Sequence, residues 1–183
     1  MATWKDKRKV IRSYDTTAEM YEERYADEQQ RKYKKALEKV NVSGKAVLDV
    51  GCGSGLFFRE VAADEMIVAG VDISRKLLFK AKQQARAFPN AFVLQADADH
   101  LPFKIGCFDD IFAFTVLQNV PNPNETLVEL KRVIECEGRI IVTGLKKAFS
   151  LEKFMDILEN SGLQVITFVD DEDVNCYVAV LAG

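Results

Sequence analysis

Short, almost continuously apolar runs recur between residues 45 and 181, and stretches with helical spacing of apolar positions separate most of them. Apolar runs of this length that alternate with helices are typical of a parallel sheet covered on both faces. The predicted strands are 45–50, 66–71, 91–95, 109–115, 139–143, 164–168 and 175–181. The predicted helices that join them are 56–63, 75–87, 124–134 and 151–160.

The last two predicted strands are connected differently from the others. Only residues 169–174 separate them, and a right-handed crossover helix does not fit in so short a segment. These two strands should therefore form an antiparallel hairpin. The predicted fold class is α/β: a doubly wound, mostly parallel seven-stranded sheet with a C-terminal antiparallel hairpin strand and helices on both faces.

Residues 13–40 precede the first strand and show apolar and aromatic side chains at helical intervals. They predict a helical segment that packs onto the sheet. The chain has 183 residues and no internal repeat, so we expect a single domain over 1–183. Within it, 1–40 form the helical part and 41–183 form the core.

Composition and charge exclude several classes of protein. No apolar run approaches the roughly 18 residues of a membrane span, and the first residues lack a signal peptide's apolar core, so we expect a cytoplasmic protein without membrane contact. The four cysteines form no C-x-x-C pair, and no metal site is predicted. The net charge is only −3, but residues 5–12 are basic and residues 170–173 are acidic.

Four motifs lie at the ends of predicted strands. A glycine loop, D-V-G-C-G-S-G, covers 49–55, and closely spaced glycines let backbone N–H groups approach a ligand. About 20 residues further on, Asp72 in G-V-D-I-S stands where a carboxylate can accept both hydroxyls of a ribose. The segments D-A-D-H-L-P-F, from Asp97, and F-D-D-I, from Phe108, follow in order.

With these motifs, residues 14 to 145 resemble the class I (Rossmann-like) S-adenosylmethionine-dependent methyltransferases. The resemblance implies S-adenosylmethionine as the cofactor, methyl transfer as the reaction, and residues 1–40 as a helical cover over the cofactor. Tyr14 and Tyr21, in a Y-D-x-x-A-x-x-Y segment, would cover the methionine end; alternatively, they only pack the helix down. The cofactor-binding residues that the resemblance implies are Tyr14, Tyr21, Asp49, Gly51, Cys52, Gly53, Gly55, Asp72, Ile73, Asp97, Ala98 and Thr115.

The methyl acceptor should bind at the carboxyl ends of the first and fourth strands, where the sequence reads T-V-L-Q-N-V-P. Gln118 and Asn119 are the candidates for orienting it, because an amide can both donate and accept hydrogen bonds. Alternatively, the two amides only cap the loop. No catalytic base is assigned.

Three hypotheses for the acceptor follow. The favoured one is a nucleobase in structured ribosomal or transfer RNA, with Lys146, Lys147 and the basic N-terminus holding phosphates. The alternative is a small metabolite methylated on N, O or C, bound in an apolar pocket. The third is a non-catalytic protein that binds the cofactor and docks a partner. The resemblance also leaves room for a small activating partner protein.

Overall fold

The computed structural model describes residues 4–40, 42, 46–62 and 66–183, without the side chains of 21–24. It contains one seven-stranded sheet of order β3-β2-β1-β4-β5-β7-β6. β1 to β5 are parallel, and β7 runs antiparallel to both β5 and β6. The strands are β1 (Ala46–Val50), β2 (Ile67–Asp72), β3 (Ala91–Gln95), β4 (Phe108–Ala113), β5 (Ile134–Leu145), β6 (Gln164–Asp170) and β7 (Cys176–Ala182). The predicted fold class, including the C-terminal hairpin, is confirmed.

Six α-helices accompany the sheet within the described residues. They are α1 (Trp4–Thr17), α2 (Tyr21–Leu37), α3 (Phe58–Val61), α4 (Arg75–Ala85), α5 (Pro123–Val133) and α6 (Leu151–Glu159). None of the helices in the described ranges has the length and apolar composition needed to cross a membrane.

Two apolar cores lie on opposite faces of the sheet. One contains the side chains of α5 and α6, such as Leu127 and Phe154, against Leu48 and Ile140 of the strands. The other contains those of α2, α3 and α4 against Val47, Val68 and Phe112. Along β1, β4, β5 and β7, neighbouring side chains belong to the two cores in turn, as burial on both faces requires.

The N-terminal helical segment differs from the prediction. It begins at Trp4 instead of residue 13, and a 3-10 turn at Ala18–Met20 divides it into α1 and α2. Just before the turn, the hydroxyls of Thr16 and Thr17 donate to the carbonyls of Arg12 and Ser13, at 2.7 and 3.0 Å. Such bonds to the preceding helical turn favour a bend. The bend lets α1 lie near α4 while α2 lies near β7.

Candidate functional site

A cleft of about 730 Å³, including its open mouth, lies at the carboxyl edge of the sheet. This edge is where doubly wound sheets bind their ligands. We call the part around Gly51, Asp72 and Asp97 the cofactor half, and the part around Tyr14, Thr115 and Asn119 the acceptor half. All six residues line the cleft. Ile73 and Ala98 line it as well.

The glycine loop brings backbone rather than side chains to the cofactor half. Gly51 has φ +70°, and a Cβ there would lie 2.6 Å from Cγ2 of Val116. The N–H groups of Gly51 and Cys52 both donate to the carbonyl of Val71, at 2.7 and 3.0 Å, which fixes the loop to β2. Cys52 is itself buried in the core beneath and its pKa is raised by burial, so it serves as packing.

Asp72 ends β2, and backbone amides orient its carboxylate. Its Oδ2 accepts from the Gly53 N–H at 2.9 Å and its Oδ1 from the Ser74 N–H at 2.7 Å. Burial raises the pKa of Asp72, although these amide hydrogen bonds oppose the shift. Each oxygen keeps a second lone pair, so the carboxylate can accept two ligand hydroxyls.

Asp49, at the end of β1, is a buried carboxyl without a complete set of partners. It is 2% exposed, and its Oδ2 has no hydrogen bond. Burial, with the charge of Asp72 as a second cause, raises the pKa of Asp49 to about 8. An orphaned carboxyl oxygen in this position favours a ligand that brings a cation or a hydrogen-bond donor.

Asp97 follows β3 and is paired with a residue that sequence analysis did not single out. Nζ of Lys7, on α1, lies 2.6 Å from carboxylate oxygens of both Asp97 and Asp99. Burial lowers the pKa of Lys7, but the hydrogen bonds from the two carboxylates outweigh it and raise the pKa overall. Lys7 therefore fastens the cover helix to the cofactor half. Its role was hidden because the pair joins residues far apart in sequence.

The rest of α1 is fastened by polar contacts as well. Asp15 Oδ1 accepts from the Ser74 hydroxyl at 2.6 Å, and this hydroxyl also caps the N-terminus of α4. Tyr14 lines the cleft, its hydroxyl accepts from Asn119 Nδ2 at 2.9 Å, and burial raises its pKa. The predicted role of Tyr21 lies outside the described residues, because its side chain is not described.

Thr115, just beyond β4, holds an uncommon backbone conformation with φ +64°. A β-branched residue is strained there and persists only where its surroundings hold it. Its N–H donates to the Thr143 hydroxyl at 2.8 Å, and its Oγ1 accepts from Nζ of Lys32 at 3.2 Å. Lys32 is 2% exposed and also pairs with Glu28 at 2.7 Å. α2 thus helps to shape the acceptor half, which the sequence did not indicate.

The two candidate amides occupy different places. Asn119 lines the cleft, and its Nδ2 donates to Tyr14 and, at 2.7 Å, to the Thr115 carbonyl. Because both hydrogen bonds use Nδ2, Oδ1 is the side-chain atom of Asn119 that can accept a hydrogen bond from the methyl acceptor. Gln118 does not line the cleft; it also donates to the Thr115 carbonyl. The structure therefore places Gln118 as a cap of this loop.

The predicted phosphate clamp is not assembled as expected. Nζ of Lys146 lies 2.7 Å from Asp170 and donates to the Asp171 carbonyl at 2.7 Å, so the acidic turn neutralises it. Lys147 is exposed but, like Lys146, does not line the cleft. Lys7, in the basic N-terminal segment, points inward to Asp97.

The sequence around this cleft matches a known protein family. The family model described as "Methyltransferase domain" matches residues 48–142, which include the glycine loop, Asp72, Asp97 and Asn119. The chain belongs to this family. As a class I methyltransferase domain, it uses S-adenosylmethionine as its cofactor.

A curated relative and two solved structures illustrate the similarity. The demethylmenaquinone methyltransferase of Tropheryma whipplei is 37% identical over 100 residues, 55% of this chain and 41% of that protein. This methyltransferase domain spans about half the length of the curated relatives it matches. A SAM-dependent methyltransferase of Aquifex aeolicus has a TM-score of 0.74 at 20% identity, covering 81% and 88% of the two chains. A methyltransferase of Haloferax volcanii, solved in complex with the Trm112 methyltransferase activator, has a TM-score of 0.79 at 18% identity. The match covers 94% of this chain and 96% of that chain.

The cofactor half fits S-adenosylmethionine in three respects. The orphaned oxygen of Asp49 suits a cationic ligand, and the cradle at Gly51 leaves no room for a Cβ. Asp72 presents free lone pairs for ribose hydroxyls. The fit is that of a cationic nucleoside, because Asp49 and Asp72 lie beside the glycine loop while the charge of Lys7, which also lines the cleft, is paired with Asp97 and Asp99.

Proposed function

We propose that this protein is an S-adenosylmethionine-dependent methyltransferase whose acceptor is a small molecule. The observation that carries this proposal is the lining of the acceptor half. Val10, Phe114, Val116, Val120 and Pro121 contribute apolar walls, and α1 covers the cleft from above. An apolar recess with few polar groups is typical of small-molecule sites.

The lysines support a small molecule over RNA. The expected RNA clamp consisted of Lys146, Lys147 and the basic N-terminus. Lys147 does not line the cleft, and Lys7 and Lys146 are held by the protein's own carboxylates. A phosphate could bind them only by displacing those ion pairs. The relative from Tropheryma whipplei, named for a quinone acceptor, agrees with a small-molecule substrate. The RNA acceptor favoured by the sequence is therefore not supported.

The proposed mechanism assigns binding and orientation to the protein. When bound, S-adenosylmethionine would supply an electrophilic methyl group on its sulfonium, for transfer in line to a nucleophile of the acceptor with the neutral thioether as the leaving group. Asp72 and Asp49 would hold the cofactor's ribose and cationic end. Asn119 Oδ1 would accept a hydrogen bond from the acceptor and orient it, and the apolar walls with α1 would exclude water.

A fractionation experiment tests the acceptor class. The purified protein is incubated with radiolabelled S-adenosylmethionine and with separate RNA, protein and small-molecule fractions from cells lacking the gene. We expect label in the small-molecule fraction, at a rate that changes little with salt. Label in RNA, lost steeply as salt increases, would contradict the proposal. The charge reversals Lys146→Glu and Lys147→Glu should leave the rate unchanged.

We also propose that the protein works with a small activator protein. The support is the Haloferax volcanii methyltransferase, which matches this chain over nearly its whole length and was solved in complex with the Trm112 activator. Mixing purified Trm112 activator with this protein and measuring a complex by sedimentation tests the idea.

A further inference from the structure

Lys32, on α2, is a buried lysine whose ammonium group reaches the acceptor half of the cleft. The residue is 2% exposed. Its Nζ pairs with Glu28 at 2.7 Å and donates to Thr115 Oγ1 at 3.2 Å. The side chain of Glu28 is 34% exposed, so water can solvate this carboxylate whether or not the lysine is present.

The stability of the fold does not by itself account for this burial. Taking an ammonium group out of water is costly, and apolar side chains of similar volume often stabilise a fold as well as a buried ion pair does. Breaking an ion pair is strongly destabilising when it leaves the other charge buried, and Glu28 is open to water. What distinguishes a lysine at position 32 is therefore its hydrogen bond to Thr115.

Thr115 has a backbone conformation that needs support from outside its own loop. Its φ of +64° is the only positive φ among the non-glycine residues that the structure describes. A β-branched residue is strained in this conformation, which persists where its neighbours hold it. Two neighbours on different elements do so. Thr143 of β5 accepts from the Thr115 N–H at 2.8 Å, and Lys32 of α2 donates to the Thr115 hydroxyl oxygen.

The backbone conformation of Thr115 sets the direction of its carbonyl, and both candidate amides bind that carbonyl. Asn119 Nδ2 donates to it at 2.7 Å, and Gln118 Nε2 donates to it as well. A rotation of the Thr115 backbone would move the carbonyl and, with it, the side chain of Asn119. Lys32 is thus connected through Thr115 to Asn119, which lines the cleft, although Lys32 does not line the cleft itself.

An aromatic contact fixes the distance between α2 and this loop. Tyr33 packs edge-on against Phe114, with ring centroids 4.8 Å apart. Consecutive residues of α2 therefore contact consecutive residues after β4, since Lys32 meets Thr115 and Tyr33 meets Phe114. Close packing of the two buried rings keeps Nζ of Lys32 within reach of the Thr115 hydroxyl.

We propose that Lys32 is a positioning residue for the methyl acceptor. Its hydrogen bond to Thr115 Oγ1 holds Thr115 in the strained conformation that directs the Thr115 carbonyl to Asn119, and Asn119 Oδ1 is thereby aimed at the acceptor. The proposal rests on the proposed function for the small-molecule acceptor, and it assigns to α2 the control of how that acceptor is oriented.

The first readout needs no acceptor. It is the side-chain amide signal of Asn119 in nuclear magnetic resonance spectra of the isotope-labelled full-length protein. Lys32→Met should shift this signal, because Asn119 follows the Thr115 carbonyl. Lys35→Met is the matched control, since Lys35 also lies on α2 but pairs with Glu38 and Asp171. The control should leave the signal in place, and both variants should keep the wild-type melting temperature.

The second readout is kinetic. The probe is the small-molecule fraction, given in a dilution series with radiolabelled S-adenosylmethionine. Lys32→Met should raise the apparent KM for the acceptor about 5-fold, the value of one hydrogen bond, while the affinity for the cofactor stays at the wild-type value. Thr115→Val removes Oγ1 but keeps the branched shape, and it should give the same changes. Adding Lys32→Met to Thr115→Val should then have no further effect.

The remaining outcomes separate this role from a structural one and from the proposed function. An unshifted Asn119 signal with an unchanged KM in Lys32→Met would overturn the proposal. Equal effects of Lys32→Met and Lys35→Met, or a full effect of Lys32→Met in the Thr115→Val background, would overturn it too. If Lys32→Met does not fold, Thr115→Val alone tests the hydrogen bond by both readouts. No label in the small-molecule fraction with wild type would contradict the proposed function, and the Asn119 signal would still decide the role of Lys32.

Discussion

The cofactor half and the acceptor half of the cleft are built from different kinds of contact. In the cofactor half, carboxylates at strand ends and backbone amides of one loop are held by neighbours within the sheet, as Asp72 is by Gly53 and Ser74. In the acceptor half, side chains from α1, α2 and the loop after β4 hold one another, as Tyr14, Lys32 and Asn119 do around Thr115. The difference suggests that the first half is fixed by local sequence and the second by long-range packing.

The largest effect is expected in the cofactor half, for Gly51→Ala. The new Cβ would lie 2.6 Å from Val116 in a backbone with φ +70°, so the loop must shift. We expect the cofactor affinity to fall by about 100-fold or more, measured by calorimetric titration of S-adenosylmethionine. Gly162→Ala is the control, because Gly162 also has φ +70° but a Cβ there would meet only Nζ of Lys131, at an ordinary contact distance of 3.7 Å. An equal loss in both variants would mean that general strain, not the cradle, is responsible.

Asn119→Ala should affect the two halves unequally. The variant removes Oδ1 from the acceptor half, and we expect the KM for the methyl acceptor to rise by roughly 10-fold, the value of one hydrogen bond. Cofactor affinity should change little. Gln118→Ala controls for the loop, because Gln118 donates to the same Thr115 carbonyl without lining the cleft. If both variants raise KM equally, Asn119 only supports the loop.

Lys7→Met tests the fastening of α1 over the cofactor half. It leaves Asp97 and Asp99 facing each other without the cation, and we expect a loss of about 3 kcal/mol in the free energy of unfolding. Limited proteolysis should then cut α1 faster. Lys9→Met removes an exposed pair with Asp6 and should have almost no effect. Equal stability of Lys7→Met and wild type would show that the pair does not hold the helix.

A further effect is the uptake and release of one proton at Asp49. Since its pKa is raised to about 8 in the folded protein, the folded chain holds a proton that the unfolded chain loses above about pH 4. The free energy of unfolding should therefore fall as pH rises between those values, and less so in Asp49→Asn. A cationic cofactor should expel this proton, so titrations near pH 7 in buffers of different ionisation enthalpy should report proton release. Identical heats in all buffers would contradict this.

The contrast between local contacts and long-range packing explains which features the sequence could predict. β3 was predicted with its observed bounds and most other strands within two residues, because burial on both faces leaves a clear apolar pattern. β5 is longer than predicted, Ile134–Leu145, because Ile134 pairs with Phe108 beyond a register shift that no local pattern shows. The positions of the glycine loop, Asp72 and Asp97 at the carboxyl edge follow from strand ends alone.

The remaining features depend on contacts between distant residues. The sequence predicts that Lys7 and Lys146 are exposed cations. In the folded protein each forms an ion pair with a carboxylate that is distant in sequence. The RNA hypothesis rested on Lys146, Lys147 and the basic N-terminus being available to hold phosphates. The hydrogen bond from Lys32 to Thr115 and the positive φ of Thr115 likewise depend on how α2 packs on the sheet, which no local pattern shows.

A titration of S-adenosylmethionine into wild-type protein and into Asp72→Ala tests whether the cleft at the carboxyl edge is the cofactor site and whether Asp72 holds the ribose. We predict one bound cofactor per wild-type chain and an affinity lower by about 10- to 100-fold in Asp72→Ala, the loss of charge-assisted hydrogen bonds. Unchanged affinity in the variant would contradict the account and place the cofactor elsewhere.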